Sequence, residues 1–460
     1  MDYRRKGIRK AREAPHPADG EGWANRLIPG RTPLPQRRRG WRRVLSWACL
    51  SLLLVLPPLA AAQTPTRITL EEAIRLALVY SPTIKAARTQ IQQNQAQEIT
   101  ANLRPNPTLS WDAQFIPIFQ PSQINADTIN DTGQFDFGVG YLIERGKKRQ
   151  HRLEAAQDAT SVTRAQVADA ERNLSFNVAQ QFISVLLAES TLQFAQEALK
   201  SYQDTVGISE QRYRAGDMSG ADLLKIKLQL LQFQTDVSSA RLACVQALQS
   251  LRELIGFAAV PADYDVAGEL AYTPLKLQLD ELKAAALDHR PDLLAARRGV
   301  TAAQSQFTLA QANGKHDLGT TFNYSHVSGL NTGAIFFNIP LPVFDRNQGE
   351  IARTKFAIGQ AELTSTAASE TVLTDVSNGY EGVRSADEVV ELYLSGYLDQ
   401  AKESRDISAY SYQRGAASLL DFLDAERTYR STQLAYRQAL ANYLLAVEQL
   451  KQAVGVRNLP

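Results

Sequence analysis

Few side chains in this sequence could make or break bonds. Beyond position 62 there are four histidines, His151, His289, His316 and His326, and one cysteine, Cys244. A zinc site wants two histidines one helical turn apart or a cysteine pair, and neither pattern occurs. His316 and His326 border one alternating segment ten residues apart and cannot share an ion unaided. The G-x-S-x-G, P-loop and dinucleotide glycine patterns are absent. Asp and Glu are numerous but follow helical surface spacing, so no acid–base pair stands out. The chain reads as a non-enzyme without metal or cofactor.

The best-spaced polar residues form two short motifs. Tyr213, Gly216, Ser219 and Asp222 recur 199 positions later as Tyr412, Gly415, Ser418 and Asp421. A glycine after a long helix supplies the left-handed residue that ends it. Ser-x-x-Asp then reads as a capping box opening a return helix. Arg214, Met218 and Arg414 are not required by capping and are candidates for contact with a partner. Shortly before the second motif stand Asp399, Lys402, Glu403, Arg405 and Asp406. On a lone helix this is an ordinary solvated face. Around a channel, any one facing inward would become a ring of like charge.

The elements that must hold these motifs also come twice. LEEAIRLALVYSPTIKAAR from Leu70 pairs with LDELKAAALDHRPDLLAAR from Leu279, at a spacing of 209. Each copy starts with a short amphipathic helix, Leu70–Val79 and Leu279–Asp288, followed by a proline. Ser81 and Pro82 read as N-cap and first helical residue. That second helix is expected to run to about Leu103, and its counterpart from Pro291 to about Asn313. No proline occurs between Pro121 and Pro261, nor between Pro342 and Pro460. Helices of about 70 residues, roughly 100 Å long, fit there. The spacing predicts long helices at about 144–214 and 346–414, with return helices at about 219–255 and 418–455. Uncapped periodic helices of this length suggest coiled-coil packing.

Between the helices the period changes to two. Leu109, Trp111, Ala113 and Phe115 alternate with polar residues, as do Phe135, Phe137, Val139 and Tyr141. In the second copy Leu318, Thr320, Phe322 and Tyr324 share one face, and Ile335, Phe337 and Ile339 another. These are strands with one greasy, aromatic face and one small or polar face, in hairpins at about 107–143 and 316–342. Soluble hairpins packed on a core would look similar, but transmembrane β-strands have this length and alternation. The first hairpin's connection, Pro117 to about Gly133, is long and read as polar. The second, near His326 to Asn331, is short.

Composition narrows the setting. Residues 1–62 hold 13 Lys or Arg and 4 Asp or Glu, leaving 37 basic and 44 acidic groups in the remainder. That balance excludes nucleic acid as partner. Arginines 37–43, the apolar run Val44–Leu56 and Ala60–Ala62 form a secretory signal with cleavage expected after Ala62. Cys49 falls inside it and lacks a lipoprotein context; Cys244 is expected to be packed. The expected divisions are 1–62 leader and signal, 63–256 first repeat, 257–277 linker and 278–456 second repeat.

Four strands cannot close a membrane barrel, since the smallest use eight, and an open edge in lipid leaves unpaired backbone groups. The chain must oligomerise if its strands are in a membrane; two copies give eight strands and three give twelve. Over residues 65–456 the chain resembles the TolC-type outer-membrane efflux protein family. The resemblance rests on the duplication, RPNPTLSW (104–111), ERGKKRQHRLEAA (144–156), PLPVFDRNQGEIARTK (340–355) and the two Tyr-x-x-Gly tips. The segments after the second and fourth strands are most similar to the heavy-metal, CzcC-like and CusC-like, branch.

The resemblance implies a mainly α protein with membrane β. A homotrimer would form a twelve-stranded barrel continued by a long periplasmic α-helical barrel, with an equatorial belt from the linker and the C-terminal end. It implies outer-membrane lipid around Leu109, Trp111, Phe115, Phe135, Phe137, Tyr141, Phe322 and Tyr324. It also implies a periplasmic adaptor docked on the tips and an inner-membrane pump of the RND type. The family's constriction lies a few turns above the tip, which makes Asp399 and Glu403 the gate candidates. The expected function is passive exit of small solutes, heavy-metal cations among them. Drug efflux or type I protein secretion are alternatives within the family. A soluble periplasmic coiled-coil scaffold is the alternative outside it.

Overall fold

The computed structural model describes residues 66–459. The leader, Cys49 and the cleavage expected after Ala62 lie outside the described residues. The first copy runs β1 (Arg67–Ile68), α1 (Leu70–Tyr80), α2 (Pro82–Ala101), β2 (Thr108–Gln114), α3 (Ala126–Thr132), β3 (Gln134–Ile143), α4 (Lys148–Ala215) and α5 (Gly220–Ile255), and the linker holds β4 (Asp265–Val266). The second runs α6 (Leu279–His289), α7 (Pro291–Asn313), β5 (Leu318–Val327), β6 (Leu330–Asn338), α8 (Gln348–Leu392), a π-helical turn (Tyr393–Tyr397), α9 (Leu398–Gln413) and α10 (Leu419–Val454). Among the described residues no helix is long and apolar enough to cross a membrane.

Local chemistry sets the short helices. Thr69 caps α1, its hydroxyl accepting from the Glu72 N–H at 3.3 Å. Pro82 and Pro291 open α2 and α7 at the first helical position, where no N–H is needed. Ser81 occupies the N-cap position, but its hydroxyl bonds Thr83 Oγ1 at 2.8 Å and caps no backbone N–H. The long α4 spans 68 residues, about 100 Å at helical rise.

Among the described residues three apolar clusters hold the helices. One gathers Ala73, Ala77, Ile84, Leu174, Val178, Val185, Leu251 and Ile255 from the first copy. A second gathers Leu282, Ala286, Leu293, Val372, Val376, Val383, Leu450 and Val454 from the second copy. Ala73, Ala77 and Ile84 map onto Leu282, Ala286 and Leu293 at a spacing of 209. Leu251 and Ile255 map onto Leu450 and Val454 at 199. A third cluster joins the copies near the tips, with Tyr202, Val206, Ile226 and Phe233 against Tyr412 and Phe422.

The long helices break this regularity by one residue. Leu174, Val178 and Val185 match Val372, Val376 and Val383 at 198, while the tips and return helices keep 199. The π turn lies between those two registers. It absorbs one extra residue, and Gly396 within it takes φ 120°. The single helix expected over 346–414 is therefore two helices hinged on an insertion.

Polar ties brace the middle of the rods. Arg290, only 4 % exposed, bonds Asp375 at 2.8 Å, Asp292 at 2.6 Å and the Ala453 carbonyl at 3.2 Å. Arg457 bonds Glu448 at 2.8 Å and Glu71 at 2.6 Å, tying the C-terminal end to α1. Arg67 meets Asp265 at 3.1 Å where β1 and β4 pair in parallel. Burial, then the adjacent Asp265 carboxylate, pushes the half-buried Glu189 carboxyl up to about 7. The linker packs along the helices through Tyr272, which donates to Asp387 at 2.6 Å, and Thr273, whose carbonyl accepts from Tyr443 at 2.6 Å.

The π turn makes a signed prediction. Gly396→Ala should destabilise the protein by about 1 kcal/mol or more, because alanine resists positive φ. Gly382→Ala sits in α8 with open space around its new methyl and should stabilise by about 0.5–1 kcal/mol. Thermal unfolding followed by circular dichroism measures both; equal signs would contradict the π turn.

Candidate functional site

The site has three parts: a sheet, a pair of tips and a charged stretch of helix. The sheet is four-stranded and antiparallel in the order β2-β3-β5-β6, so β2 and β6 are its edges. Its register aligns Trp111 with Phe137 and Phe137 with Tyr324. Leu109, Val139, Phe322 and Ile335 form the next row. Tyr141 and Phe337 flank Thr320 in the row after. One face is thus a continuous aromatic and aliphatic surface with no core against it among the described residues; Trp111 is 62 % and Phe337 68 % exposed. The opposite face carries Asp112, Asp136, Ser325 and Thr332 in one row and Ser110, Gly138, Asn323 and Ala334 in another. Hydrogen bonds knit that face: the Asp136 carboxylate accepts from Gln134 at 2.6 Å and from Asn323 at 3.3 Å. A Cβ at Gly138 would sit 2.4 Å from Ser110 Oγ, so the polar face stays thin there.

Seven of the eight residues expected on the greasy face lie in strands and share it: Leu109, Trp111, Phe135, Phe137, Tyr141, Phe322 and Tyr324. Phe115 does not. β2 ends at Gln114, and Phe115 turns the chain with φ 58°. Ile339 likewise falls past the end of β6, and Phe336 interrupts the polar face. The connection expected to be polar carries Ile118 and Phe119 exposed, plus a 3-10 turn and α3. The other connection is shorter than expected. Ser328 and Gly329, both at positive φ, make a two-residue turn of the kind that matches strand twist.

At the tips both glycines are left-handed, Gly216 at φ 85° and Gly415 at φ 74°. The Asp217 N–H bonds the Arg212 carbonyl at 2.9 Å and the Ala416 N–H bonds the Ser411 carbonyl at 2.8 Å, closing each helix end. Ser418 and Asp421 form a complete capping box. Ser219 and Asp222 form only half of one: the serine hydroxyl accepts from the Asp222 N–H, and the aspartate returns to that hydroxyl instead of the cap N–H.

The paired tyrosines are not equivalent. Tyr412 is buried and stacks on Phe422, centroids 5.2 Å apart, whereas Tyr213 is 48 % exposed beside Gly220. Met218 packs on the tip cluster, so it serves the core. Arg214 and Arg414 are exposed, and Arg414 lies 5.3 Å over Tyr410.

Several residues outside the repeat pattern matter here. Arg212 donates to the Tyr412 carbonyl at 2.8 Å and covers its ring, joining the two tips. The repeat puts Ser411 in its place, so periodicity carried no signal for it. Arg430 covers Phe233 at 4.1 Å and pairs with Asp236. Tyr202 stacks on Phe233 at 4.4 Å. Burial raises the Glu426 carboxyl, opposed by Arg405 and Arg430.

Asp399 and Glu403 are four residues apart on one exposed stripe of α9, immediately beyond the π turn. Arg405 lies instead over Tyr429 at 4.5 Å, bonded to Asp406 at 2.8 Å. Long paired helices carrying an open-edged sheet, greasy on one face and polar on the other, define a channel-forming membrane protein. The family described as "Outer membrane efflux protein" matches residues 73–257 and 282–456, one match per copy, and the chain belongs to that family. Membership makes it an outer-membrane protein and sets aside a soluble scaffold.

The cobalt-zinc-cadmium resistance protein CzcC of Cupriavidus metallidurans is 24% identical over 399 residues, covering 84% of this chain and 90% of its own. The pyoverdine export outer membrane protein OpmQ of Pseudomonas aeruginosa is 26% identical over 408 residues, covering 84% and 85%. A crystal structure of CusC superposes with TM-score 0.69 at 20% identity, covering 84% of this chain and 92% of that one.

The tyrosine asymmetry predicts unequal losses. Tyr412→Ala should cost about 3 kcal/mol in local stability at the tip, the range for emptying a buried aromatic site. Tyr213→Ala should cost about 0.5 kcal/mol or less. Amide exchange of the last turns of α4 and α9 reads both.

Proposed function

We propose that three copies close the sheet into a twelve-stranded barrel in the outer membrane. Their long helices continue it as a tube into the periplasm. The assembly is a passive exit duct of a tripartite system. Exposed Arg214 and Arg414, with the capped turns around them, meet a periplasmic adaptor. An inner-membrane pump of the RND type supplies the energy, so this chain carries no catalytic step. The observation that carries this reading is the sheet: two unpaired edges and an uncovered apolar face are stable in lipid only when closed against further copies. The cargo is a small solute, and the likeness to a cobalt-zinc-cadmium resistance protein favours divalent cations. The likeness to a pyoverdine exporter supports a second reading, export of a metal-chelating small molecule.

Loss of the chain should sensitise its host to zinc, cobalt and cadmium, with wild-type protein restoring tolerance. Unchanged metal tolerance together with retained chelator in the periplasm would favour the second reading. Asp399 and Glu403 are proposed to face the lumen as rings of negative charge at the constriction. The double alanine variant should raise single-channel conductance in a planar bilayer and weaken cation preference. Unchanged conductance and selectivity would remove these residues from the gate.

A further inference from the structure

All four strands pass into helices at one end of the sheet, and there the charge changes sign. The segments 102–107, 144–153, 313–317 and 339–355 hold ten Lys or Arg against four Asp or Glu, in a chain whose residues 63–460 carry more acid than base. The four acids are already engaged. Glu144 pairs with Arg152, Asp317 with Lys148 at 2.8 Å, and Glu350 with Arg353 at 2.6 Å. Asp345 accepts from the Asn347 N–H at 2.8 Å. Arg104, Lys147 and Arg149 have no acidic partner among the described residues; Arg149 bonds only Asn102, at 2.9 Å to its side-chain oxygen.

These three cations line a cleft of about 370 Å³ whose other wall includes Tyr141 and Ile143. Tyr141 and Ile143 belong to the row parity of the aromatic face, so the cleft opens where that face ends. Beyond the end of β6, Leu341, Val343 and Phe344 are exposed, Phe344 at 91 %, two residues before Arg346. Apolar surface therefore gives way to unpaired cations within a few residues, on the first hairpin and on the second.

We propose that this junction is a collar that binds the phosphate headgroups of anionic glycerophospholipid in the adjoining leaflet. Guanidinium and ammonium groups take the phosphate, Arg forking two N–H groups to it and Lys acting as a point charge. The acyl chains lie along Tyr141, Ile143 and the aromatic face above. A soluble anion would use the cations but not the apolar wall, which selects lipid as the occupant. Juxtamembrane basic clusters attract anionic headgroups in this way, and long cationic side chains reach the interface while their stems cover apolar surface. The proposal rests on the strands lying in the membrane.

The test uses the full-length protein in neutral detergent micelles doped equally with phosphatidylglycerol and phosphatidylcholine, with retained lipid counted by native mass spectrometry. Wild type should retain phosphatidylglycerol several-fold over phosphatidylcholine. Arg104→Gln/Lys147→Gln/Arg149→Gln should fall to near parity. Lys200→Gln/Arg241→Gln/Lys402→Gln, which removes three exposed cations from the tip half of the helices, should keep the preference. Inorganic phosphate should not displace the lipid. Absence of preference in wild type, full preference in the junction variant, or displacement by inorganic phosphate would each overturn the collar. If the junction variant does not fold, wild type decides alone, since the preference must fall as salt rises. Flotation of wild-type proteoliposomes is read separately. Protein that does not float contradicts the membrane reading, while protein that floats without lipid preference contradicts only the collar.

Discussion

The constraint behind the structure is the unpaired backbone along β2 and β6. A four-stranded sheet has two edges, and each edge amide left bare in hydrocarbon costs several kcal/mol. Among the described residues nothing covers them, and nothing covers the aromatic face. In the proposed assembly, closure by neighbouring copies relieves the edges, and lipid relieves the face. Once the sheet is a barrel, its strands deliver eight helical ends per pair of copies, or twelve for three, to one rim. The helices then have a tube's circumference to pack around. The proposed duct follows from the edges more than from any single side chain.

Duplication supplies the parts, and departures from it supply the differences in role. The cores repeat residue for residue at 209 in the short helices and at 199 in the return helices. One extra residue in the second long helix breaks the match, and the π turn confines its effect to five residues. Asp399 and Glu403 lie directly past that turn, on the copy that differs. The tips differ too. Tyr412 is sealed under Arg212 while its counterpart Tyr213 stays in solvent.

Much of this architecture was legible in the residues. Period-two alternation placed the strands and their greasy face because side chains on a strand must alternate. Proline-free stretches bounded the long helices, and Gly216 and Gly415 marked their ends. The losses have physical causes. Phe115 continued the alternation on paper, but the backbone turns left-handed at Phe115 itself. The π turn was hidden because helical periodicity tolerates one inserted residue. Ser81 and Asp222 had the right types for caps, yet a nearer hydroxyl took their bonds. Arg212 and Arg430 act across the repeat, through contacts that neither copy shows alone. The basic junction stood out only once the sheet's register showed where the aromatic face ends.

The most direct test of the closed duct is the mass of the assembly extracted intact from the membrane, measured by native mass spectrometry or light scattering with the detergent subtracted. Closure predicts a single species of three chains that retains its β-sheet signal. A folded, monodisperse monomer with that signal would show that the sheet tolerates its open edges, and would contradict the account.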